Sequence, residues 1–157
     1  MYAMGIGQVM TVGKFVFRLQ SLLNLKTQLE QSLKNELGRA IQEMERQKRI
    51  LNGLIEEREV YIFNINQMYE KGISISKLRE YGNYISHLND RVKLQQDNVI
   101  QAKNNVDKYR EKLIKAMQEK KMLDKLREKK YEEYLKDQLK EEQKHNDEII
   151  SFNMGHV

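Results

Sequence analysis

The chain has 157 residues, of which 28 are Lys or Arg and 23 are Asp or Glu, giving a net charge of +5, and it contains no Pro, Cys or Trp. With 32% of residues charged and 39% hydrophobic, it has enough apolar side chain to pack but too little for a thick globular core. The missing Cys excludes disulfides, thiolate catalysis and thiolate metal sites, and the scarcity of turn residues leaves long helix as the remaining architecture.

Residues 1–14 read as a flexible lead. Gly5, Gly7 and Gly13 fall within it and no Lys or Arg precedes Lys14, so it lacks the basic start and apolar run of a secretory signal. Met10 offers an alternative start. No stretch approaches 18 uncharged apolar residues, so no membrane-spanning segment is expected.

The first helix is predicted over 15–69. Steps of four and three place Phe15, Leu19, Leu22, Lys26, Leu29 and Leu33 on one stripe. After an extra four-residue step, Leu37, Ala40, Met44, Gln47, Leu51, Leu54, Arg58, Tyr61, Ile65 and Met68 continue it. This is a coiled-coil seam with one stutter. A turn is predicted over 70–76, where Gly72 can adopt the left-handed conformation that closes a helix and Ser74 or Ser76 can cap the next one.

The second helix is predicted over 77–150. Leu78, Tyr81, Ile85, Leu88, Val92, Gln95, Val99, Ala102, Val106, Tyr109 and Leu113 alternate by three and four, with only Gln95 polar. The stripe loosens through Met117, Leu123, Leu126, Tyr131, Tyr134, Leu135 and Leu139, and residues 151–157 read as a flexible tail. The whole is expected to be all-α: one antiparallel coiled-coil hairpin domain over 15–150, folded about residue 73 so that Phe15 faces roughly residue 131. The segment beyond residue 131 is then left without a partner in the same chain. Heptads alone do not separate this hairpin from a long parallel dimer.

Sites for chemistry are scarce. His87, His145 and His156 are far apart, and His145 with Glu148 is a weak metal pair, so no cofactor and no metal is expected. The sequence holds no Gly-rich phosphate loop, and the adjacent acids Glu56-Glu57, Glu132-Glu133 and Glu141-Glu142 point in different directions. Gly38, Gly53 and Gly82 lie within the helices, read either as tolerated surface positions or as points of close approach by another protein. Lys103, Lys108, Arg110, Lys112 and Lys115 form a basic stretch, yet no basic arm precedes a dimer zipper, so no nucleic-acid partner is expected. The amphipathic start from Phe15 to Leu23 suits either a membrane surface or closure of the open end of the hairpin.

Three fragments carry a resemblance. They are the opening Phe15-x-Phe17-Arg18-Leu19-Gln20-Ser21-Leu22-Leu23-Asn24-Leu25-Lys26, the middle from Gly72-Ile73-Ser74 through Leu78, Tyr81, Tyr84, Ile85 and Leu88, and the tail Lys121, Asp124, Leu126, Glu128, Lys129, Tyr131, Tyr134, Glu141-Glu142-Gln143-Lys144, Asp147 and Glu148. In their order and separation they resemble the flagellar export protein FliJ family, from residue 15 to about 150. The resemblance implies a hairpin similar to the stalk subunit of rotary ATPases, working without catalysis in the flagellar type III export apparatus. It also implies three partners, namely the hexameric export ATPase, the cytoplasmic domain of the export gate, and export chaperones. The chain is then expected to be a monomer when free, cytoplasmic, and peripheral to the membrane beneath the flagellar basal body.

The same resemblance maps a gate-binding face to Leu54, Tyr61, Tyr84 and Leu88, flanked by Ile50, Glu57, Arg91 and Gln95. It maps an ATPase-facing end to Phe15, Phe17, Arg18, Leu22, Lys26, Leu126, Glu128, Tyr131 and Tyr134. Charges at 57 and 91 depart from the family pattern. Leu54, Tyr61 and Leu88 also fit the core of the seam, whereas Tyr84 lies off it and is expected to be an exposed anchor. The alternative role is a structural coiled-coil spacer that self-associates through the overhang.

Overall fold

The computed structural model describes residues 14–156. Among them are two helices and no strand: α1, Gln20–Lys71, and α2, Ile75–Gly155. They pack against one another in an all-α helical hairpin. The chain divides into two compact units, one made of the residues up to Glu30 together with those from Lys115 onward, the other of Gln31–Ile114.

The connection is three residues long. Gly72 takes φ +85, the left-handed conformation that costs glycine least, and its N–H donates to the Tyr69 carbonyl at 3.3 Å. Of the two serines offered as caps, Ser74 is the one used. Its Oγ accepts the Lys77 N–H at 3.2 Å, and its carbonyl takes the Leu78 N–H at 3.0 Å. With Ser74 as the cap, α2 begins at Ile75, two residues before the expected start. At its far end α2 runs on through Gly155, past the expected end at 150.

The start of α1 departs from expectation in the other direction. Residues 14–17 are not helical, and α1 begins at Gln20, whose N–H donates to the Phe17 carbonyl at 3.1 Å. Phe15 is half-buried, Val16 is 77% exposed and Phe17 only 7%. That alternation is the period of two of an extended chain, not the helical period.

The inward positions of α1 revise the seam. Leu23 and Glu30 face inward, while Leu22 and Leu29 are exposed. The buried and half-buried positions 23, 26, 30, 33, 37, 40, 44, 47, 51, 54, 58, 61, 65 and 68 alternate by three and four throughout, so there is no stutter. A carboxylate holds a seam position because Lys120 meets it: Lys120 Nζ lies 3.3 Å from Glu30 Oε2. On α2 the expected seam fails at its first member, Leu78, which is exposed beside the turn, and holds from Tyr81 through Leu113, after which Ala116 is buried and Met117 exposed.

Candidate functional site

In the unit of Gln31–Ile114, Leu54, Leu88 and Val92 form a buried cluster, with Leu51, Ile55, Tyr61 and Tyr84 packed against it. Leu88 is fully enclosed and Leu54 is 7% exposed. These two members of the expected gate face are therefore core side chains, Leu88 with no surface and Leu54 with little to offer a second protein. Tyr61 and Tyr84 lie at its edge. Their ring centroids are 4.5 Å apart, and that of Tyr81 is 5.8 Å from Tyr61.

Tyr84 is not the fully exposed anchor that its off-seam position implied. It is half-buried, one helical turn before Leu88, and its hydroxyl donates to the Glu57 carboxylate across the helix pair. That bond to a carboxylate, reinforced by burial, holds the phenol above its usual pKa, because ionised Tyr84 would face the negative charge of Glu57. Position 84 flanks the seam positions 81, 85 and 88, so its ring leans over the core from the edge while one side remains in water.

The flanking residues divide. Ile50 and Arg91 are exposed, Glu57 is half-buried and held by Tyr84, and Gln95 is buried. Arg58 donates to Asn89 at 3.0 Å beside the cluster. The reachable part of this face thus comprises the edges of Tyr61, Tyr81 and Tyr84 with Ile50 and Arg91. Tyr81 was read as seam alone; its place beside Tyr61 follows only once the register of the two helices is known.

In the other unit the segment ahead of α1 meets the later part of α2. The Phe15 ring lies 5.2 Å from Tyr131 at 71°, an edge-to-face contact, and 5.6 Å from Tyr134. Tyr131 is the residue that folding about residue 73 places opposite Phe15. Arg127, one turn before Tyr131, sets its guanidinium carbon 5.7 Å from the Phe15 centroid and donates from Nε to Gln20 Oε1 at 3.1 Å. This arginine was absent from the expected set. Its signal was the four-residue spacing to Tyr131, which puts both side chains on one strip of α2.

The remaining residues of this end have distinct surroundings. Lys26 Nζ lies 2.5 Å from Glu119 Oε2, and this ammonium holds the Glu119 carboxyl below its ordinary pKa. Phe17 is buried, Leu126 and Tyr134 are half-buried, and Arg18, Leu22, Glu128 and Tyr131 are exposed. Every described residue after Gln138 is exposed, including Leu139, Ile149, Ile150, Phe152 and Met154.

Among the described residues no group of three or more His, Asp or Glu side chains is arranged to hold a metal ion. No helix among the described residues is long and apolar enough to cross a membrane.

Two amphipathic helices folded back through a glycine turn, with aromatic groups beside the core of one unit and around Phe15 in the other, define a two-helix coiled-coil hairpin. The sequence matches the family described as flagellar FliJ protein over residues 15–156, which takes in both helices. The chain belongs to that family, and membership implies a component of the flagellar export apparatus. No curated protein and no solved structure matches the chain.

Proposed function

We propose that this chain is a non-enzymatic adaptor of the flagellar type III export apparatus, linking the hexameric export ATPase to the cytoplasmic domain of the export gate and to export chaperones. The family match across both helices carries this reading. The aromatic closure of Phe15, Tyr131 and Tyr134 with Arg127 supports an ATPase-facing end, because it fixes Arg18, Leu22 and Glu128 on a folded surface rather than on loose chain ends. The exposed helix beyond Gln138 supports it too, since its apolar side chains lack cover among the described residues. For the gate, Tyr61, Tyr81 and Tyr84 supply partly desolvated aromatic area with polar tips, a chemistry enriched at binding hot spots. In this reading the free chain is a monomer that works in the cytoplasm at the inner face of the membrane.

Removal of residues 132–157 tests the ATPase-facing end. The truncated chain keeps most of its helicity by circular dichroism and loses stimulation or assembly of the purified export ATPase. Undiminished stimulation removes the ATPase role from this end.

A further inference from the structure

Gln95 is the one buried polar side chain among the described residues, 7% exposed, with Val92 and Val99 before and after it on the seam of α2 and Gln47 facing it from α1. Its Nε2 donates to Gln47 Oε1 at 2.6 Å and to the Gln47 main-chain carbonyl at 2.9 Å. Its Oε1 accepts from Asn98 Nδ2 at 3.0 Å. Both ends of the amide are thus satisfied, and no buried side-chain nitrogen or oxygen among the described residues lacks a partner. The acceptor that belongs to residue 47 alone is its side-chain oxygen, since every residue of α1 offers a main-chain carbonyl.

The connection between the helices does little to fix their alignment. From Tyr69 to Glu80 every residue but Ile73 is exposed, so few packed side chains resist unwinding one side of the turn and extending the other. The seam does little either, because Ala40, Met44, Leu51 and Leu54 on α1 and Leu88, Val92, Val99 and Ala102 on α2 repeat by heptads. A slip of seven residues would set apolar against apolar at most of these positions. It would also carry Gln95 opposite Ala40 or Leu54, and Gln47 opposite Ala102 or Leu88, so the amide-to-amide bond between the helices would be lost, while the bonds within each helix, from Gln47 to Glu43 and from Asn98 to Gln95, would persist.

We propose that the Gln47–Gln95–Asn98 network is the register lock of this unit: it selects one heptad alignment of α2 on α1 and thereby sets Tyr81 and Tyr84 beside Tyr61, and Tyr84 beside Glu57. Arg58, which bonds Asn89, is a second polar seam position of this unit but only half-buried, whereas Gln95 is buried, and a buried polar layer in a largely apolar seam trades stability for uniqueness of pairing.

Disulfide trapping reads the register. In the full chain, Arg58→Cys with Asn89→Cys reports the observed alignment, and Arg58→Cys with Gln96→Cys or with Gly82→Cys reports slips of one heptad in either direction. With Gln95 present, only the 58–89 pair closes under mild oxidation. Gln95→Leu, which keeps the position filled and the helix intact, shifts the urea midpoint upward and makes a slipped pair close as well. Gln47→Leu with Gln95→Leu gives the same mixture. Slipped pairs that stay open in both variants, while the 58–89 pair closes fully, show that the turn holds the register by itself and overturn the proposal.

Discussion

Tyr84 on α2 donates its hydroxyl hydrogen to the carboxylate of Glu57 on α1, and the same phenol ring covers the edge of the Leu54, Leu88 and Val92 cluster. One side chain thereby joins the core to the surface proposed for the gate. Tyr84→Phe keeps the ring and removes the bond. The urea midpoint is expected to fall at neutral pH, with no change in the urea dependence. The raised phenol pKa means that this contribution is full below the ordinary value of about 10 and is lost as pH rises through the folded value. The gap between wild type and Tyr84→Phe therefore narrows as pH rises above the ordinary phenol value, which urea titrations of both from neutral pH into alkali measure. Tyr84→Ala is expected to weaken gate-domain binding about thirtyfold at temperatures where the variant is folded, read by calorimetry.

Leu88 carries the core beneath that face. It is fully enclosed, so Leu88→Ala leaves a cavity and is expected to cost about 2–5 kcal/mol. Chemical denaturation measures this directly. A cost below about 1 kcal/mol would mean that the cluster collapses to fill the space.

The fold was legible in the sequence where periodicity was unambiguous. From Leu37 to Met68 and from Tyr81 to Leu113 the three-and-four spacing led to the residues that face inward. The reading failed where an apolar residue stood next to the true seam position. Leu22 and Leu29 outweighed Leu23 and Glu30, because hydropathy cannot anticipate that Lys120 makes a seam carboxylate tolerable. Phe15-Val16-Phe17 fits a helical stripe and an extended alternation equally, three residues being too few to separate the two periods. At the candidate sites the meeting of Phe15 with Tyr131 followed from the fold point. The hydrogen bond from Tyr84 to Glu57 did not, because it depends on how flanking positions of two helices face each other.

Glu43 gives a second pH test within one helix. Arg46 donates to its carboxylate from Nε at 2.9 Å and from Nη2 at 2.8 Å, and Gln47 Nε2 donates at 2.7 Å. With the Arg46 bond the main cause and the Gln47 bond the second, its pKa is lowered to about 2. A lowered value means that the interaction is complete above the ordinary carboxylate pKa of about 4.3 and disappears as pH falls towards 2. Carbon-detected NMR titration of Glu43 is expected to show the low midpoint, and Arg46→Gln is expected to move it upward, towards the ordinary value.

The helical glycines separate two kinds of position. A Cβ built at Gly53 or Gly82 meets nothing within 4 Å, and neither has a positive φ. Gly53→Ala and Gly82→Ala are each expected to add about 0.5–1 kcal/mol of stability. Gly72, at φ +85, is the opposite case, and Gly72→Ala is expected to cost about 1 kcal/mol. Denaturation curves of the three variants test these signs. If Gly53→Ala or Gly82→Ala is more stable but loses affinity for the gate domain, a partner approaches closely there.

The adaptor role is tested most directly by a three-component sedimentation experiment with purified export ATPase, the cytoplasmic domain of the export gate and this chain. The account predicts that the gate domain sediments with the ATPase hexamer only when the chain is present, and that removing residues 132–157 abolishes the link while gate binding survives. A chain that binds neither protein, or a gate domain that sediments equally without it, contradicts the account.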